Sequence, residues 1–170
     1  MSYNSLAQEK SFTYSDSVFQ VGQEMDLDIR FHSGRLLVDT LSLGRMDSLA
    51  NFITSHPNIT FEVALNTDYR GDSTYNLKVC ESRSLSLKSW LVASGVNENQ
   101  IVTKSNGENI PATLRSDNTF IYDRLPEEFR TTESYSLTET FINQFKSDRK
   151  LYEDLHELNR RTVLRIISID

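Results

Sequence analysis

At 170 residues, 38% of them apolar and 25% charged, the chain suits one compact domain and is too apolar for a disordered polymer. Its formal net charge of −6 argues against sequence-independent nucleic-acid binding and against an anionic lipid surface, since both need a basic face. The single cysteine, Cys80, excludes an internal disulfide and disfavours a thiolate metal site, and no run approaches the roughly 20 apolar residues that cross a bilayer.

Residues 1–24 read as a lead-in, polar over 1–10 and β-leaning over Phe12–Val21. The opening MSYNSLAQEKSF has no apolar core of a signal peptide, which fits either a cytosolic chain or a piece of a longer exported one. In Met25–Phe31 the residues Met25, Leu27, Ile29 and Phe31 alternate onto one face, which predicts a half-buried strand. The period changes at Leu43, Met46, Leu49, Phe52 and Ile53, whose three- and four-residue steps predict an amphipathic helix ended by Pro57 and Asn58. Ile59–Leu65 alternates again as a second strand. Asn66–Thr74 is a polar loop with Gly71, and Asp72 or Ser73 can cap a helix that runs to about Ser94 and stops at Gly95. Ile101–Lys104 is a third, short strand. Residues 112–158 are irregular: an extended piece is expected at Thr119–Tyr122, and helical spacing over Leu137–Phe145 and Leu151–Leu158. The β-branched run TVLRIISI suits a closing central strand. This order predicts a sheet with helices on one face.

The chemistry concentrates in Leu65–Ser84, where an Asp follows a strand and an Asn and an Arg lie on the next helix. Asn76 and Arg83 are two turns apart, so they share a side of that helix, and Arg83 can point back toward the loop holding Asp68. A carboxylate and a guanidinium side by side suit a zwitterionic amino acid, taking its ammonium and its carboxylate respectively. Spacing alone leaves two readings, and a loop-bracing salt bridge is the commoner one.

The pattern Asn66-Thr67-Asp68-x-x-Gly71, followed by Asn76-x-x-Val79-Cys80-x-x-Arg83-Ser84, resembles the HTDxxG…NxxLSxxRA signature of the OmpA-like family. Gly107-Glu108-x-x-Pro111 resembles its GE..P turn, and Asn159-Arg160-Arg161-Thr162-Val163 its NRRV signature. The three motifs stand in family order and span nearly the whole chain. Leu155-His156-x-Leu158 before the last motif resembles the version common in Bacteroidetes.

The resemblance implies a two-layer α/β (α+β) sandwich of βαβαβ topology over residues 25–170, with a mixed sheet, helices on one face and an insertion at about 112–150. It also implies non-covalent binding of the diaminopimelate in the peptidoglycan stem peptide, with the chain periplasmic and outer-membrane-associated as part of a longer exported protein. Carried over, Asp68 and Arg83 hold the ligand's ammonium and carboxylate, Asn76 supports the site, Arg160 closes it and Thr67 shapes the loop. The departures are Asn66 for the family's His, Cys80 for Ser, Ser84 for Ala, and His32 after Phe31, where the family usually has Asp. Asn66 and His32 are therefore candidate pocket-rim residues.

Nothing points to an enzyme. His32, His56 and His156 lack metal-ligand spacing, and no nucleophile elbow, P-loop or dinucleotide fingerprint is present. No metal or organic cofactor is expected. The rival reading is a protein-interaction scaffold in an envelope complex that kept the fold and lost the ligand. Most aromatics of the 112–158 insertion are expected in a satellite core, and in the rival reading some of them supply a surface for an envelope protein partner.

Overall fold

The computed structural model describes residues 11–31 and 42–170. Strand β1 (Glu24–Leu27) is followed by helix α1 (Leu43–Thr54), strand β2 (Ile59–Asn66), helix α2 (Ser73–Ala93) and strand β3 (Ile101–Gly107). An inserted stretch then carries β4 (Thr113–Arg115), α3 (Thr119–Tyr122), β5 (Ser134–Ser136) and α4 (Glu139–Ile142). Helix α5 (Arg149–Asn159) and strand β6 (Thr162–Ile169) close the chain.

The main sheet runs β1-β6-β2-β3, with β6 antiparallel to both neighbours and β2 parallel to β3. The closing TVLRIISI run is thus central, as its β-branched composition requires. The two faces of the sheet differ in character. Ile59, Phe61, Val63 and Leu65 of β2, with Leu164 and Ile166 of β6, are buried against Met46, Leu49 and Ile53 of α1 and Cys80, Leu87 and Leu91 of α2. On the other face Arg165 reaches Glu24 (2.7 Å) and Glu62 (2.9 Å). One layer of helices satisfies this sheet because the main apolar core lies on that face, whereas the other mixes Ala64 and Val163 with charged side chains.

Local chemistry sets the ends of α2. The Asp72 carboxylate accepts the Tyr75 backbone N–H at 2.8 Å. At the other end Gly95 takes φ +97°, while the N–H groups of Gly95 and Val96 donate to Val92 O (3.0 Å) and Leu91 O (3.1 Å). This is a Schellman closure, with Val96 buried beside it.

Three expectations change. Phe12–Val21 forms turns and no strand; an isolated bridge pairs the preceding Ser11 with Glu24, and Phe12 donates its backbone N–H to Glu24 O at 3.1 Å while its ring packs in the core. Thr119–Tyr122 is a helical turn, started by Asn118 and packed inward through Ile121 and Tyr122. The third strand continues to Gly107, because β2 remains beside it through Asn66.

The inserted stretch has its own core. Leu114, Leu125, Leu137 and Ile142 are sealed against Leu151 and Leu155 of α5. Tyr135 stacks on Phe141 with ring centroids 4.7 Å apart, and Phe129 meets Phe145 edge-on at 5.1 Å. Asn159 ties this core to the C-terminal end of α5: its Oδ1 accepts Ala112 N–H at 2.7 Å and its Nδ2 donates to Leu137 O at 2.8 Å.

Candidate functional site

The loop leaving β2 faces the start of α2 and the junction of α5 with β6, and a cavity of about 840 Å³ opens between them. Thr67, Asp68, Asn76, Arg83 and Arg160 all line it, as do Asn66 and Phe31. Residues far apart in the sequence, from Phe31 to Arg160, therefore meet at one place. His32, the other candidate for the rim, lies outside the described residues.

Asp68 is buried, with 6% of its surface exposed. Its Oδ1 accepts the backbone N–H (2.9 Å) and Nε–H (3.2 Å) of Arg70, while Oδ2 accepts Arg70 Nη2–H at 2.9 Å and a further N–H from Arg160. Burial by itself raises the Asp68 pKa. The hydrogen bonds from Arg70 and then Arg160 outweigh that cost and hold the carboxyl below its ordinary value.

Neither guanidinium depends on Asp68 alone. Arg70 Nη1 donates to both oxygens of Glu153 at 3.0 Å, and Arg160 Nη2 donates to Glu157. Glu157 also accepts from Arg30. Glu153 and Glu157 are one helical turn apart on α5, so a single helix presents both acids to the Asp68 loop.

Arg83 stands half-buried on α2, its guanidinium carbon 5.1 Å from the centre of the Phe31 ring, within cation–π range. Burial lowers its pKa first, the Cys80 and Tyr75 side chains oppose that, and the net shift is downward. Arginine nevertheless stays charged in proteins. Asn76 is a brace: its Nδ2 donates to Asp68 O (3.3 Å), Arg70 O (3.3 Å) and Glu108 Oε2 (2.7 Å). Asn66 is committed to the frame, its Nδ2 donating to Arg161 O (3.3 Å) and its Oδ1 accepting from Asn106 (3.0 Å). Thr67 fixes the loop by donating its backbone N–H to Gly107 O at 2.8 Å, while its buried hydroxyl has no partner.

Two participants are given no role by the motifs. Arg70 occupies a variable position of the Asp68-x-x-Gly71 turn, so no pattern singles it out. His156 is fully buried, its Nδ1 3.8 Å from Asp68 Oδ1, with neither ring nitrogen hydrogen-bonded. It sits against the rings of Tyr69 (4.7 Å between centroids) and Tyr152 (4.5 Å). Burial and then the charge of Arg70 lower its pKa, so the ring beside Asp68 is neutral at pH 7. Its place in the Leu155-His156-x-Leu158 stretch, four residues before Arg160, was the available signal.

Among the described residues no group of three or more His, Cys, Asp or Glu could hold a metal ion, and no helix is long and apolar enough to cross a membrane. Arginines and carboxylates in this arrangement can sort the charges of a small polar ligand.

Residues 30–121 match the OmpA family. This chain belongs to that family. The matched stretch carries the Asp68 loop, α2 and the Gly107 turn. The domain is 38% identical over 72 residues to a peptidoglycan-associated lipoprotein of Pasteurella multocida, covering 42% of the chain and 48% of that protein. It is 33% identical over 87 residues to outer membrane porin F of Pseudomonas fluorescens, covering 51% of the chain and 27% of the porin. The matches thus span less than half the length of these relatives. Among solved structures, the peptidoglycan-associated lipoprotein of Burkholderia pseudomallei superposes with a TM-score of 0.51 at 19% identity, covering 82% of this chain and 86% of that one. The C-terminal domain of Helicobacter pylori MotB gives 0.55 at 14% identity, covering 86% and 85%. These likenesses carry the OmpA-like fold.

Proposed function

We propose that this OmpA-like domain is a non-catalytic module that grips the diaminopimelate of the peptidoglycan stem peptide and so anchors an outer-membrane or periplasmic assembly to the cell wall. The observation that carries the reading is the meeting of Asp68 and Arg83 in one cavity, with Asn76 bracing the loop and Arg160 beside the carboxylate. The peptidoglycan-associated relatives in the same family support it.

In this reading Asp68 takes the ligand ammonium and Arg83 its carboxylate, a division set by charge and by the planar fork of the guanidinium. Asn76 and Thr67 act through the loop, and Arg160 closes the carboxylate side. Truncating one partner of a buried charge pair costs on the order of 2–5 kcal/mol of binding. Titration with diaminopimelate and a stem peptide, with sedimentation on insoluble peptidoglycan, tests this. Saturable binding lost in Asp68→Ala and Arg83→Ala is the expected result, and retained affinity in either variant sinks the assignment.

A further inference from the structure

The four N–H groups on Asp68 match the about four lone-pair positions of a carboxylate, which leaves no acceptor capacity for an arriving ammonium. One donor has to leave. The backbone N–H of Arg70 is fixed by the turn, and its side chain holds both carboxylate oxygens in a two-pronged grip at 3.2 and 2.9 Å. Arg160 holds Asp68 through one nitrogen only and already spends its other terminal nitrogen on Glu157. Both Arg160 and Glu157 line the cavity.

Building on the proposed ligand site, we infer that Arg160 is the guanidinium that a ligand ammonium displaces, and that Glu157 is the positioning residue that retains it. The ligand class that can do this is zwitterionic. Its ammonium takes the place of the Arg160 N–H on Asp68 Oδ2, and its carboxylate meets the guanidinium side of the cavity, so one internal ion pair becomes two. Glu157 keeps a counter-ion on the released Arg160, whose side chain is about two-thirds shielded from solvent at 35% exposure. Arg30, the other cation on Glu157, holds that carboxylate toward the cavity. A ligand with a carboxylate and no ammonium gains nothing from the exchange, so Glu157 bears on selectivity for the amine as well as on affinity.

The test compares a stem peptide carrying the free amine of diaminopimelate with the same peptide N-acetylated there, on the wild-type domain, Glu157→Gln and Glu157→Asp. Loss of one charge-assisted contact corresponds to about a tenfold change. Glu157→Gln is expected to weaken the free-amine peptide about tenfold and leave the acetylated one unchanged, with Glu157→Asp restoring part of the difference. Equal effects on both peptides, or none, overturn the inference. A second readout needs no ligand: with Glu157 neutral, Arg160 commits to Asp68 and the carboxyl titrates at lower pH by carbon-detected NMR. An unchanged Asp68 titration also overturns it. Failure of the wild-type domain to bind either peptide would refute the proposed function, while the Asp68 titration would still decide how Arg160 is shared.

Discussion

Asn159 opens the signature Asn159-Arg160-Arg161, yet its side chain faces away from the ligand cavity and into the inserted core. It is 3% exposed, and its two side-chain atoms satisfy the Ala112 N–H and the Leu137 carbonyl at 2.7 and 2.8 Å. Both groups belong to buried residues, Ala112 at 8% and Leu137 at 0% exposure, so water cannot replace the amide without repacking. Asn159→Ala removes both bonds and leaves two backbone groups unsatisfied. A stranded buried donor or acceptor costs about 1–3 kcal/mol. The second orphan is offset in part by relaxation around the small cavity, giving an expected loss of about 2–4 kcal/mol. A domain of ordinary stability, about 5–15 kcal/mol, remains folded. Urea unfolding followed by tryptophan fluorescence and far-UV dichroism measures the loss. Hydrogen exchange at the Ala112 amide localises it, because that N–H should lose protection beyond its neighbours. A loss below about 1 kcal/mol with Ala112 still protected would refute the view that Asn159 staples the insertion to the end of α5.

The neutral, buried His156 predicts a pH dependence. Its folded pKa lies below the ordinary value of 6.5, so as pH falls through 6.5 the unfolded chain gains a proton that the folded one refuses. This stability is full above about pH 6.5 and declines below it, until the folded ring titrates. His156→Leu sacrifices no hydrogen bond and should flatten urea midpoints between about pH 5 and 7; an unchanged slope contradicts the assignment. Asp68 acts in a lower window: its depressed carboxyl stabilises the fold above about pH 3.9 and ceases to as pH falls through the folded value. Gly107 holds φ +56°, and an added Cβ would lie 3.0 Å from Leu77 Cδ2. Gly107→Ala should therefore cost about 1–2 kcal/mol from the backbone alone. Thermal denaturation checks this, and a variant as stable as the wild type would exclude strain there.

The sequence by itself determined the elements whose period is set by one face. Met25 and Leu27 alternate because one side of the edge strand is buried, and Ile29 and Phe31 keep to that side although the strand itself ends at Leu27, short of the expected Phe31; α1 is legible because its apolar residues recur every three or four positions. The cap at Asp72 and the stop at Gly95 are local chemistry, readable from single residues. The motif residues Thr67, Asp68, Asn76, Arg83 and Arg160 were legible through resemblance, though their spacing alone left a clamp and a brace undecided. Phe12–Val21 and Thr119–Tyr122 misled because short aromatic runs fit strand or helix equally, and packing contacts decided between them. Three of the donors on Asp68 come from the nearby Arg70, but only the tertiary structure could supply the fourth, since Arg160 is 92 residues away along the chain. Charge pairing depends on which loops the sheet order brings together. The placing of β6 between β1 and β2 set Arg160 and His156 against the Asp68 loop, a proximity with no local periodicity to betray it.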